Sequence, residues 1–145
     1  MKLAAAVARM CEAFGLLDTS VARSPAELEA MLAEVGATEC TAAEFLGVVK
    51  RLQPQQAANF LTGTLHRSRA YYSHEFMPLE EARVLAADFV DAAGPGATFY
   101  STGVASDELR RIDPAYVVLT TSVFESVLYC VGARETALLL VREDD

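Results

Sequence analysis

Glu125-Ser126-Val127-Leu128-Tyr129-Cys130-Val131, then Gly132-Ala133-Arg134-Glu135, then Thr136-Ala137-Leu138-Leu139-Leu140-Val141-Arg142 is the stretch that decides the fold class. Two runs rich in Val, Leu, Tyr and Thr flank a short break that holds a glycine and two charges. β-branched and aromatic side chains suit a pleated, half-buried surface, and a short glycine-bearing break between two such runs is a hairpin signal. Upstream, residues 98–102 and 116–121 are further β-rich runs, and Ser106-Asp107-Glu108-Leu109 resembles a capped helical turn that ends at Asp113-Pro114. The expectation for this part is a meander or hairpin sheet.

Before residue 98 the pattern changes. Ala92-Ala93-Gly94-Pro95-Gly96-Ala97 cannot continue a helix, because glycine and proline together force a turn. Ahead of that turn the apolar residues recur at helical spacing. Leu3, Val7, Met10, Cys11 and Phe14 form one stripe, released at Gly15. Ser24-Pro25-Ala26-Glu27 is a capping box with proline at the first helical position, followed by Leu28, Met31, Leu32 and Val35 and stopped by Gly36. Thr41-Ala42-Ala43-Glu44 repeats the box, and Phe45, Val48, Val49 and Leu52 carry the apolar face to Pro54, which makes a helical hairpin with the helix before it. A fourth helix is predicted from Pro54 to Tyr72, and a fifth from Pro78 with Leu79, Ala82, Leu85, Ala86, Phe89 and Val90 on its apolar arc.

A run of helices followed by a run of strands favours an α+β arrangement over βαβ winding. The predicted architecture is an N-terminal bundle of about five helices packed on one face of a C-terminal three- to four-stranded antiparallel sheet. The 145 residues are expected to form a single domain, helical over about 1–93 and sheet over about 97–143. Roughly 50 residues of sheet would be marginal alone.

Composition narrows the function classes. Hydrophobic residues make up 52% and charged residues 22%, an ordinary globular balance that argues against disorder. The opening Met1-Lys2-Leu3-Ala4-Ala5-Ala6-Val7-Ala8 is broken by Arg9 and Glu12 before it reaches the length of a secretory apolar segment. No run approaches the roughly 20 apolar residues of a membrane span. These features predict a cytoplasmic protein with no membrane partner. Cys11, Cys40 and Cys130 are odd in number and widely spaced, without a C-x-x-C pair, so free and mostly buried thiols are expected.

The formal charge of −8 is uneven: residues 1–75 carry seven Lys/Arg against eight Asp/Glu, and residues 76–145 carry five against twelve. Such a surface repels nucleic-acid phosphate and favours a basic partner. Two stretches stand out as candidate sites. At about 100° per residue, Glu80, Glu81, Asp88 and Asp91 fall on the arc opposite the core of the fifth helix, with Val84 among them. Complementary charge would speed encounter with a basic protein and Val84 would add contact area. An isolated helix lacks the converging loop oxygens that calcium needs, so no metal is assigned there.

The second stretch, Leu65 to Phe76, holds both histidines together with Arg67, Arg69, Tyr71 and Tyr72. Arginine gives bidentate hydrogen bonds to phosphate or carboxylate, and tyrosine adds rigid contact area. The structural alternative is a helix end whose cations compensate the dipole. His66 and His74 are eight residues apart, a rise of about 12 Å on a continuous helix, too far to share one metal. An enzyme would use His66 or His74 as general base beside Glu75, with Cys130 or Ser73 as nucleophile. No Walker loop, G-x-G-x-x-G, G-x-S-x-G or H-E-x-x-H is present, and no cofactor is predicted. Arg110-Arg111 and Glu143-Asp144-Asp145 are expected to be solvated charges.

The expected function is therefore a small acidic protein-binding module, such as an immunity protein or another inhibitor of a basic effector. The alternative is a small-molecule-binding domain or enzyme using the His66 to His74 segment. A third is a subunit that pairs with its own copy through a sheet edge.

Overall fold

A computed structural model describes residues 2–69, 71, 73–105, 111–112, 119–120, 122 and 124–143. The predicted helical turn at 106–109, Arg110, most of the predicted strand at 116–121, Tyr72 and the terminal Asp144-Asp145 lie outside the described residues. The hairpin forms as its sequence pattern requires: Phe124–Val131 (β6) and Thr136–Glu143 (β7) pair antiparallel, with Leu128 opposite Leu139 and Tyr129 opposite Leu138. Gly132 closes the turn by donating its N–H to the Glu135 carbonyl at 2.9 Å.

The α+β class holds, but the chain builds its sheet from both ends. Leu17–Ala22 (β1) pairs antiparallel with β7. Thr98–Ser101 (β3) pairs with β6, and Lys50–Leu52 (β2) pairs with β3. The result is one five-stranded antiparallel sheet ordered β1-β7-β6-β3-β2. Val104–Ala105 (β4) and Arg111–Ile112 (β5) make a separate small ladder. The prediction of three to four strands confined to the C-terminal part is therefore corrected, because β1 and β2 come from between the helices.

The helices are also divided rather than bundled on one face. Lys2–Ala13 (α1), Pro54–His66 (α4) and Leu79–Ala93 (α5) cover one side of the sheet. There Val7, Met10, Phe60, Leu61 and Phe89 bury against Phe99, Leu128, Leu139 and Val141. Leu28–Glu34 (α2) and Ala42–Val48 (α3) cover the other side, where Met31, Leu32 and Phe45 bury against Val127, Tyr129, Leu138 and Leu140. Successive strand residues point to opposite faces, so β7 feeds two cores at once. That is the physical reason the one-faced arrangement fails: Ala137 to Val141 are all buried, and a strand without a polar face needs cover on both sides.

The caps set where these helices begin. At Thr41 the box forms in full: Glu44 N–H donates to Thr41 Oγ1 at 3.1 Å and Thr41 N–H to Glu44 Oε1 at 2.9 Å. At Ser24 the hydroxyl accepts from Ala26 N–H, but Glu27 reaches past it to Arg23 N–H. A 3-10 turn over Pro25–Glu27 results, and α2 starts only at Leu28. Gly36, at φ +82°, ends α2, with Ala37 N–H returning to the Leu32 carbonyl at 2.8 Å. In α4, which is buried on all sides from Phe60 onward, Thr62 and Thr64 satisfy their hydroxyls on the carbonyls of Ala58 and Phe60. That helix ends at His66 rather than at Tyr72, because Arg67 turns extended and bridges to Glu75. Among the described residues no helix is long and apolar enough to cross a membrane.

A sheet covered on one face would accept a small polar residue at every second position of β7. Here Leu138→Ser and Leu139→Ser, which face opposite cores, are both expected to destabilise by about 2–5 kcal/mol in urea denaturation. Near-wild-type stability for either variant would rule out two-sided burial.

Candidate functional site

The acidic stripe is built by the heptad-like spacing of α5. Its buried residues Ala82, Ala86 and Phe89 turn Glu80, Glu81, Val84 and Asp91 to the surface. Residues 80, 84, 88 and 91 run along one line, a rise of about 16 Å. Val84 is 60% exposed, among the most exposed large hydrophobic residues described. Asp88 is only half exposed and is engaged within the chain: Arg9 of α1 donates Nε and Nη2 to its Oδ2 at 2.8 and 2.5 Å. Glu80, Glu81 and Asp91 make no side-chain ion pair or hydrogen bond to a described residue.

The helix dipole separates these acids. Glu80 and Glu81 lie in the first turn, where the positive end of the helix stabilises a carboxylate. Asp91 lies in the last turn, which has no basic residue, so the dipole there disfavours its charge. Helix stability accounts for the first two and not for Asp91.

The segment from His66 to Phe76 is a tight loop pinned to the far ends of the central strands. Ser68 Oγ and Arg69 N–H both donate to the Glu143 carboxylate of β7, at 2.5 and 2.8 Å. Arg69 Nη1 donates to the Glu125 carbonyl of β6 at 2.6 Å, and its guanidinium lies 5.8 Å from the Phe124 ring centre. Ser68 Oγ in turn accepts from Tyr71 N–H at 2.8 Å. Arg67 pairs with Glu75 at 3.2 Å. His66 is buried, and its Nδ1 lies 2.8 Å from the Met77 carbonyl. A carbonyl only accepts, so Nδ1 carries the hydrogen, and Nε2 faces Glu75 Oε1 at 3.9 Å. His74 is exposed and meets Phe76 edge to face at 5.6 Å, while Tyr71 is open to solvent. The structure therefore brings His66, Arg67 and Glu75 together and directs Arg69 to β6.

Two of the thiols, Cys130 and Cys40, are poor nucleophiles where they lie. Cys130 is buried between Phe99 and Ala137, and burial pushes its pKa up to about 12. Burial also raises the Cys40 thiol, reinforced by the carboxylates of Glu44, Glu125 and Glu29. Glu125 is itself a latch, accepting from Leu119 N–H, Thr120 N–H and Thr120 Oγ1 at 2.7–2.9 Å. Among the described residues no three His, Cys, Asp or Glu side chains converge as metal ligands.

A third place escaped the sequence analysis. At one end of the sheet a cleft of about 530 Å³ opens between the start of α1, the end of α5 and the β6–β7 turn. Lys2, Arg23 and Arg134 line it together with small apolar residues. These cations stand far apart in the chain and in no pattern, so no sequence signal joins them.

Two outcomes follow from this geometry. Glu143→Ala should cost about 1–3 kcal/mol, because it strands the Arg69 amide and the Ser68 hydroxyl, and Arg69 and Tyr71 amides should lose hydrogen-exchange protection. For Cys130, the folded pKa of about 12 lies above its ordinary 9.0, so its contribution to stability is complete below pH 9 and is lost as the pH rises toward 12. Iodoacetamide at pH 8 should accordingly leave Cys130 unmodified in the native protein and label it in urea, as read by peptide mass spectrometry.

No protein-family model matches the chain, and neither a curated protein nor a solved structure is significantly similar to it, so any functional assignment rests on the chemistry of its own residues.

Proposed function

We propose that the chain is a small cytoplasmic protein-binding module that meets a basic protein through the outer face of α5 and inhibits it by occlusion. The observation that carries this reading is Asp91, an exposed carboxylate at the helix end that disfavours it, with no cation partner among the described residues. A charge kept at a cost to its own helix is explained by what it meets from outside. Val84 supplies an apolar centre between Glu80 and Asp91, and although Arg83 flanks it and Arg9 answers Asp88, the patch keeps a net negative charge that suits a basic surface.

The His66 to His74 segment has less to offer a ligand. Arg69 and Arg67 are both bonded within the chain and His66 is 7% exposed, so its groups hold the loop in place. Occlusion of an effector, rather than catalysis, is the activity assigned.

Asp91→Lys separates stability from binding. The change should stabilise the isolated chain by about 0.3–1 kcal/mol and weaken partner binding. A benzophenone side chain installed at position 84 is expected to cross-link in cells to a protein of basic isoelectric point. The adduct should disappear when Glu80, Glu81 and Asp91 are all changed to lysine. Cross-linking that survives this reversal, or a partner without a basic surface, would exclude α5 as the interface.

A further inference from the structure

The end cleft is electrostatically out of place in this protein. Among the other cations, Arg9 is paired with Asp88, Arg67 with Glu75 and Arg142 with Asp18, whereas Lys50, Arg51 and Arg83 make no side-chain ion pair to a described residue but do not share a cleft with one another. Lys2, Arg23 and Arg134 come from α1, the segment after β1 and the β6–β7 turn, and their side chains have no hydrogen bond or ion pair to a described residue. All three are solvent-exposed and line one cleft, so together they offer an entering anion more than one cationic partner. Glu135 is the one acid lining the cleft; it makes no ion pair with any of the three, so the lining keeps an excess of two positive charges, and its Oε2 is buried without a donor among the described residues.

The walls between the cations are apolar. Leu3, Ala92, Ala93 and Ala133 leave a hollow of about 530 Å³, within the size range of small-molecule sites. Gly132 lets the β6–β7 turn close tightly against the end of α5 at the cleft wall, since a Cβ there would lie 3.0 Å from the Glu135 carbonyl and 3.2 Å from that of Ala93. Helix α1 begins at Lys2, so the positive end of its dipole borders the same space.

We infer that this cleft binds a small amphipathic anion, with an apolar body against the alanines and a single anionic head held by Arg23, Arg134 and Lys2. Arginine's fork matches carboxylate and phosphate alike, so the shared requirement is the charged head on an apolar chain. The inference is independent of the α5 interface, which lies on another face of that helix.

Decanoate and decyl phosphate serve as probes, with decanol as the uncharged control, each titrated below its aggregation concentration while the amides of Ala93, Gly132 and Ala133 are followed by NMR. At least one of the two anions should give saturable shifts, and the tighter of them identifies the head group. Decanol should bind at least about tenfold more weakly, and Arg23→Ala with Arg134→Ala should weaken the anion by at least about tenfold. Arg51→Ala, on the far edge of the sheet, should leave affinity unchanged. Ala133→Trp fills the hollow without touching a charge and should abolish binding; Ala133 is exposed in a turn, so the fold is retained and is checked by thermal unfolding. Absence of saturation with both anions, equal binding of decanol, or full affinity in the double arginine variant overturns the inference.

Discussion

Strand β7 has no polar face, and the rest of the architecture follows from that. Ala137, Leu139 and Val141 point into one core while Leu138 and Leu140 point into the other, so burying this strand takes a layer of helices on each side and a neighbouring strand along each edge. Helices α1, α4 and α5 supply one layer and α2 and α3 the second. Strand β6 supplies one edge. Strand β1, brought from the N-terminal part of the chain, supplies the other. Because antiparallel ladders keep directly opposed residues on one face, the split is inherited across the sheet, with Phe99 following Cys130 and Tyr100 following Tyr129.

Much of this was legible in the residues. The hairpin, the break at Gly94-Pro95-Gly96, the Thr41 box and the stop at Gly36 are local signals, and local hydrogen bonds realise them. Strand β1 was not legible, for a physical reason: Leu17-Asp18-Thr19-Ser20-Val21-Ala22 buries its first and fourth residues, a spacing that suits neither a clean strand nor a long helix. Its conformation is set by pairing with β7 more than a hundred residues away. The two-sided cover had a trace in the five successive apolar residues of β7, the mark of a strand buried on both faces.

The candidate surfaces divide along the same line. The acidic face of α5 could be drawn from helical spacing alone, since a helix places its side chains by local geometry. What spacing could not show is that Asp88 is answered by Arg9, a residue on a different helix. The polar loop after α4 reads in sequence as a functional concentration, yet His66, Ser68 and Arg69 spend their side chains on Met77, β7 and β6. The cationic cleft is the extreme case, assembled from residues 2, 23 and 134 only once the sheet has closed.

The strand order also bears on how the chain acquires its structure. Strands β6 and β7 are synthesised after the other strands of their sheet and the helices that cover it, yet they occupy the middle of the sheet, between β1 on one side and β3 on the other. Until they emerge, β1 has no partner, β3 has only the three-residue β2, and the apolar stripes of all five helices lack the surface that covers them. Non-local pairing of this kind makes folding slow relative to helix formation. A nascent chain with helices but no central strands would display sticky surface on both sides. The same two-sided strand that unifies the finished molecule thus makes its birth a late, all-at-once event, with an interval in which the growing chain depends on being shielded from its neighbours.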